Sequence, residues 1–220
     1  MMNILILLYG IRWCGIGLTF DDGPVKQSFA LVEYLHSEHI PAMFFPTGIR
    51  QEKYPGFVLF ATSRGFTFGN HTYSHAELPT LTLKDVDREI VLQHELLVSQ
   101  GATDPTWFRY PSGRKSKKAI PVLSRLRYQG IAGWDIFSGD IFGRGPESVF
   151  RRTRSALSTQ PSAVVLFHDC SPGVVTRIKK FVTLVKQHNS EVNLLSKNVF
   201  FMILVPPETL FRRSSNEFDY

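Results

Sequence analysis

Leu18-Thr19-Phe20-Asp21-Asp22-Gly23-Pro24 ends an apolar run on two adjacent carboxylates and then turns sharply. Ile16–Phe20 reads as a strand, and Gly-Pro ejects the backbone from it, leaving both acids at its C-terminal tip. Two like charges this close push one pKa up unless a cation or a hydrogen-bond donor separates them. Taken alone, the heptapeptide is explained equally well as a turn rich in Asp, Gly and Pro. The histidines further along the chain break that tie.

Working outward, short apolar strand candidates alternate with amphipathic helix candidates. The strands are Ile16–Phe20, Ala42–Phe45, Phe66–Asn70, Trp107–Tyr110, Ile131–Ile136, Ala163–Phe167 and Val199–Ile203. They are continuous apolar runs, as expected of strands covered on both faces. Helices are expected over Asp85–Val98, entered through a Thr82 cap, and over Val174–Val185, where Val175, Ile178, Val182 and Val185 form one stripe. Seven β-then-α units without a linker or repeat predict a single α/β domain spanning 1–220. An open doubly wound sheet gives the same alternation. A distorted (β/α)7-type barrel is favoured, because polar residues follow nearly every strand: Asp21 and Asp22, Thr47, His71, Arg109, Asp135 and Asp140, His168. They meet on one rim only if the strands close into a ring.

Composition narrows the class. The 220 residues are 43% hydrophobic and 20% charged, ordinary for a folded domain, with a net charge of +6. The basic residues fall in short clusters such as 114–118, 151–154, Lys179-Lys180 and Arg212-Arg213. None is interleaved with aromatics, so solvated helix faces are expected rather than a nucleic-acid surface; an anionic matrix such as a cell wall is the alternative partner. No run approaches the ~20 apolar residues of a membrane span. Ile4–Tyr9 is apolar but lacks a basic residue before it and a cleavage site after it, so no clear signal peptide is read. Cys14 and Cys170 flank opposite ends of barrel strands roughly 17–20 Å long, and two free thiols are expected.

His71-Thr72-Tyr73-Ser74-His75 follows the third strand with the spacing His-x-x-x-His. A helix or a tight loop brings both imidazoles to one side, and Asp22 supplies a third ligand from another strand end. Two His and one Asp leave coordination positions open, as a catalytic metal site requires. Arg109-Tyr110-Pro111-Ser112-Gly113 follows the fourth strand and Leu166-Phe167-His168-Asp169 the sixth. Each has a bland reading in isolation, a surface ion pair or a core histidine. Their recurrence at successive strand tips favours function.

On these motifs the chain resembles the polysaccharide deacetylase family with the NodB homology fold, carbohydrate esterase family 4. The resemblance runs over about residues 16 to 205: Thr-Phe-Asp-Asp-Gly-Pro at 19–24, His-Thr-x-x-His at 71–75, Arg-x-Pro-x-Gly at 109–113, a partial match around Asp140, and Leu-x-His at 166–168. It implies that Asp22, His71 and His75 hold one divalent ion, zinc with cobalt as the alternative. Asp21 would be the general base, oriented by Arg109, and His168 the general acid, paired with Asp140. Leu166 would line the pocket for the acetyl methyl, the Ser112 N–H would help stabilise the oxyanion, and the Thr72 hydroxyl would tie down the histidine loop. The implied partner is an acetylated glycan, acted on by a monomer outside the cell or at its surface.

These roles are chemically coherent. Amide hydrolysis needs an activated water, a polarised carbonyl and a proton for a poor leaving group, and each acid–base role contributes about 10²–10⁴ in rate. Two departures bear on substrate. The fourth motif reads Phe137-Ser138-Gly139-Asp140-Ile141, with Ile141 where the family has Trp, and Ser112 stands where it often has Tyr. N-deacetylation of a GlcNAc-containing polymer, chitin or peptidoglycan, is the leading expectation. O-acetylated xylan, a small non-sugar amide and a non-catalytic glycan binder are the alternatives. An Fe(II) oxygenase shares the ligand set but has no use for Asp21.

Overall fold

The computed structural model describes residues 15–103, 105–159 and 162–188. Among the described residues, seven parallel strands form two sheets. β1 (Gly15–Asp21), β2 (Ala42–Phe45), β3 (Thr67–Phe68), β6 (Ile136–Phe137) and β7 (Ser162–His168) lie in the order β3-β2-β1-β7-β6, and β4 (Trp107–Phe108) pairs with β5 (Gly130–Ile131). A bridge between Asn70 and Phe108 carries β3 on to β4. The strands thus follow one another around a ring in chain order, open between β5 and β6. This is the distorted barrel expected from the sequence, with one seam left unpaired.

The seam corrects one expectation. Ile131–Ile136 is not a single strand but the end of β5, a crossing and the start of β6. The Ala132 N–H donates to Phe108 O, while the Asp135 N–H donates to Val164 O. Four residues therefore transfer the chain from β4 to β7, which no straight strand can do. Asp135 is consequently not a rim residue: its Oδ2 accepts from the Val164 N–H, in the middle of β7. The expected strand Val199–Ile203 and Cys14 lie outside the described residues; Cys170 is a free thiol.

Alternation along β1 and its neighbours sets the layers. Phe20, Phe44 and Phe167 are register partners on the outer face, and their rings pack at 5.2 and 5.9 Å beneath the helices. Here α1 (Lys26–Ser37), α3 (Phe57–Thr62), α6 (Pro146–Leu157) and α7 (Val174–Gln187) cover them, α7 through Ile178, Phe181, Val182 and Val185. Each fully buried Phe contributes roughly 1.5–3 kcal/mol, so this face supplies much of the folding drive. A second core joins α4 (Leu83–Ser99) and α5 (Ala119–Arg125) to β4 and β5 through Val86, Ile90, Phe108 and Ile131. Thr82 caps α4, its hydroxyl accepting from the Asp85 N–H. A small apolar cluster of Met43, Phe45 and Ala132, with Trp107 packed against it, sits inside the barrel. Above this short plug the inward-facing positions turn polar.

Candidate active site

Asp21 and His168 end β1 and β7 as register partners, so both side chains leave the same face at the same height. Both are buried, and so is Arg109, which has no exposed surface at all. Its Nη1 donates to Asp21 Oδ1 at 2.6 Å and to Thr19 Oγ1 at 3.0 Å. Nε and Nη2 donate to the carbonyls of Ala132 and Gly133, and the guanidinium lies 4.1 Å from the Phe45 ring centroid. The charge is thus fully paired inside the ring, as a buried guanidinium must be. Thr19, which the sequence reading passed over, completes the fork.

Asp22, His71 and His75 converge beside this pair. Asp22 Oδ1 is 3.4 Å from His71 Nε2 and 3.2 Å from His75 Nε2, and His71 Nε2 is 3.6 Å from Asp21 Oδ2. His71 Nδ1 sits 2.9 Å from the Arg109 carbonyl oxygen. A carbonyl can only accept, so Nδ1 carries a proton and the Nε2 edge of the ring is turned toward Asp22. Asp22 Oδ1 itself is buried without a hydrogen-bond partner among the described residues. A carboxylate oxygen and imidazole nitrogens facing one another in this way fit a cation between them, and the His–carbonyl contact is the support that metal-ligating imidazoles commonly have. Burial works to raise the Asp22 pKa, but the neighbouring imidazoles, His71 foremost, outweigh it and hold the carboxyl at about 2. Burial and the neighbouring His71 lower that of His75. Both shifts favour the deprotonated forms that metal binding requires.

The turns that carry the site residues are strained. Asp22, Thr72, His75 and Ser112 all have positive φ, between 52° and 69°. Such conformations cost about 1–3 kcal/mol each and persist where the surroundings over-determine them. Those surroundings are visible: Asn70 Oδ1 accepts from the Thr72 N–H, and Asn70 Nδ2 donates to Ile90 O and the Tyr128 hydroxyl. Thr72 Oγ1 accepts from the His75 N–H. Asn70, absent from the sequence-based site, is the hub of this support.

Across the rim, His168 Nδ1 lies 2.9 Å from Asp140 Oδ1, and its backbone N–H donates to Asp140 Oδ2. Ser138 Oγ donates to Asp140 as well. Burial works to lower the His168 pKa, but the Asp140 carboxylate reverses this and leaves it raised; burial likewise opposes ionisation of Asp140, and the His168 bond leaves it lowered. Leu166 is buried two residues before His168 on the same face, beside Thr19. Ser112 is exposed at the second position of a 3-10 turn, where a backbone N–H has no partner within the helix. Trp134 packs on Gly113 of that turn, and Phe142, 73% exposed, meets Phe137, whose ring lies against His168. The sequence reading missed Trp134 and Phe142, because they stand outside the motif positions that Phe137, Ile141 and Ser112 occupy.

A family model described as Polysaccharide deacetylase matches residues 15–131. A chitooligosaccharide deacetylase from Rhizobium leguminosarum bv. trifolii is 30% identical over 74% of this chain and 76% of its own length. A peptidoglycan-N-acetylglucosamine deacetylase from Bacillus cereus is 28% identical over 72% of this chain, which spans 56% of that relative. Among solved structures, the family 4 carbohydrate esterase from Streptomyces lividans in complex with acetate has the same fold, with a TM-score of 0.74 at 22% identity, over 85% of this chain and 93% of that one.

Proposed function

The chain belongs to the polysaccharide deacetylase family, and from that premise we propose that it removes N-acetyl groups from a GlcNAc-containing polysaccharide, chitin or peptidoglycan, at or outside the cell surface. One observation carries the reading. A carboxylate that ends β1, clamped by a buried arginine, and a histidine that ends β7, paired with its own carboxylate, flank an Asp-His-His cluster whose donor atoms lie within 4.8 Å of one another.

Asp22, His71 and His75 would hold the divalent ion, zinc or cobalt, which when bound acidifies water and polarises the acyl oxygen. Asp21 accepts the proton of the attacking water at a carboxylate oxygen, while Arg109 fixes the orientation of that carboxylate. The acyl carbon gains the hydroxyl and loses the nitrogen. His168, with Nδ1 engaged by Asp140, delivers its Nε2 proton to the departing amine, so acetate and a free amino sugar result. The Ser112 N–H assists at the oxyanion, and Leu166 packs beside the acetyl methyl. The open rim flanked by Phe142 and Trp134 favours a sugar chain over a small amide, since aromatic faces stack on sugar rings. Among the described residues no helix is long and apolar enough to cross a membrane.

The test is acetate release from chitooligosaccharides, peptidoglycan fragments and acetylxylan, with zinc or cobalt supplied. Asp22→Ala is expected to abolish both ion binding, read by calorimetry, and turnover. A chain that binds the ion yet releases no acetate from any of the three glycans overturns the proposal.

A further inference from the structure

On the Asp22–His75 side the site opens into a cleft of about 510 Å³, within the range of small-ligand pockets. Its far wall is α2 (Gly48–Lys53) and the residue that follows it, presenting Arg50, Lys53 and Tyr54; Asp22, Ser74 and His75 form the near wall. The helix is fixed to the histidine loop: the Gly48 and Ile49 N–H groups donate to the Thr72 and Tyr73 carbonyls. Buried Gln93 ties it further, donating to Pro46 O and to Gln51 on its inner face. Any side chain at Gly48 would overlap the Tyr73 ring, so the contact is close and leaves little play. Arg50 and Lys53 are three residues apart on one helical face and therefore reach the same opening.

Charge in this cleft is unbalanced. Among the described residues neither Arg50 nor Lys53 makes an ion pair. The acids nearby are otherwise engaged. Glu52 accepts from the Tyr73 hydroxyl, both oxygens of Glu89 accept from Ser74, and Asp22 faces the two histidines. Two cations beside an aromatic ring, at the mouth of a site for a neutral acetamido group, recognise a feature of the substrate other than the acetamide. Resting on the deacetylase reading, we infer that Arg50 and Lys53 form an anion-reading subsite, so that the substrate is a glycan carrying a carboxylate on the sugar next to the one deacetylated. The guanidinium offers the planar fork that suits a carboxylate, Lys53 adds a second positive charge, and the Tyr54 ring lies beside the sugar.

The experiment compares kcat/KM for oligosaccharides of equal length in three forms: neutral chitooligosaccharide, GlcNAc alternating with a lactyl-ether sugar, and GlcNAc alternating with a uronic acid. Wild-type enzyme is expected to prefer a carboxylated form by about tenfold or more, and the two anionic arms separate the lactyl from the uronate source. Arg50→Gln combined with Lys53→Gln should lower that preference several-fold, mainly through KM, and 0.5 M salt should erode it in the wild type. Melting curves establish that the variant is folded. Equal use of neutral and carboxylated chains, or a preference that survives in the double variant, overturns the inference. If wild type hydrolyses none of the three, the deacetylase reading is what fails. The subsite is then read by calorimetric binding of the same oligomers, where equal affinity for neutral and carboxylated forms overturns it.

Discussion

Arg109 reaches Asp21 across the inside of the barrel, Nη1 to Oδ1 at 2.6 Å, from a strand end 88 residues away in sequence. That bond joins β1 to β4, which share no ladder in the ring. It couples the stability of the fold to the chemistry of its rim.

Removing one partner of a buried charge pair leaves the other uncompensated. Arg109→Met is expected to destabilise the protein by about 3–5 kcal/mol, read as a lower urea midpoint. Asp21→Asn should be less costly, because Thr19 and two carbonyls still hold the guanidinium. The Arg109→Met/Asp21→Asn double variant should recover part of the loss. A strictly additive double variant would show that the pair is not coupled.

His168 and Asp140 set a pH window. The folded pKa of His168 is raised above 6.5, so its stabilisation is complete below 6.5 and is lost as pH climbs through the folded value. That of Asp140 is lowered below 3.8, so its stabilisation is complete above 3.8 and is lost as pH falls through the folded value. The stability difference between wild type and Asp140→Asn should therefore be largest between these limits. If His168 is the general acid, as proposed, the alkaline limb of kcat/KM in Asp140→Asn should move to lower pH, because His168 then loses its proton sooner.

A side chain at Gly23 would overlap the carboxylate of Asp169, which is buried against Ser28 Oγ at 2.5 Å and whose pKa burial pushes up to about 7. Gly23→Ala is expected to cost about 1–3 kcal/mol by overpacking and to weaken ion binding, because Asp22 precedes it directly. Pairing it with Asp169→Ala should restore part of both, as melting and calorimetric titration would show.

Phe142 has no buried role to lose, being 73% exposed. Phe142→Ala should leave the melting temperature unchanged and raise KM for chitooligosaccharides by about 2–10-fold, the range of one aromatic contact. An unchanged KM would remove it from the substrate path.

Several features were legible in the chain because they are local. The Asp21-Asp22 pair at a strand tip, the His71–His75 spacing and the Thr82 cap each depend on a few neighbouring residues whose backbone preferences agree. The α/β alternation was readable for the same reason, since periodicity reports which face of an element is buried. The sequence by itself therefore determined the order of strands and helices and the residue types delivered to their ends. Only the tertiary structure decided the rest: that the ring stays open where Ala132–Asp135 changes partners, that Asp135 turns to Val164 and away from the rim, and that Thr19 and Asn70 brace the site. The physical reason is that hydrogen bonds and charge pairing between distant strands answer to register and closure, which no short window of residues encodes.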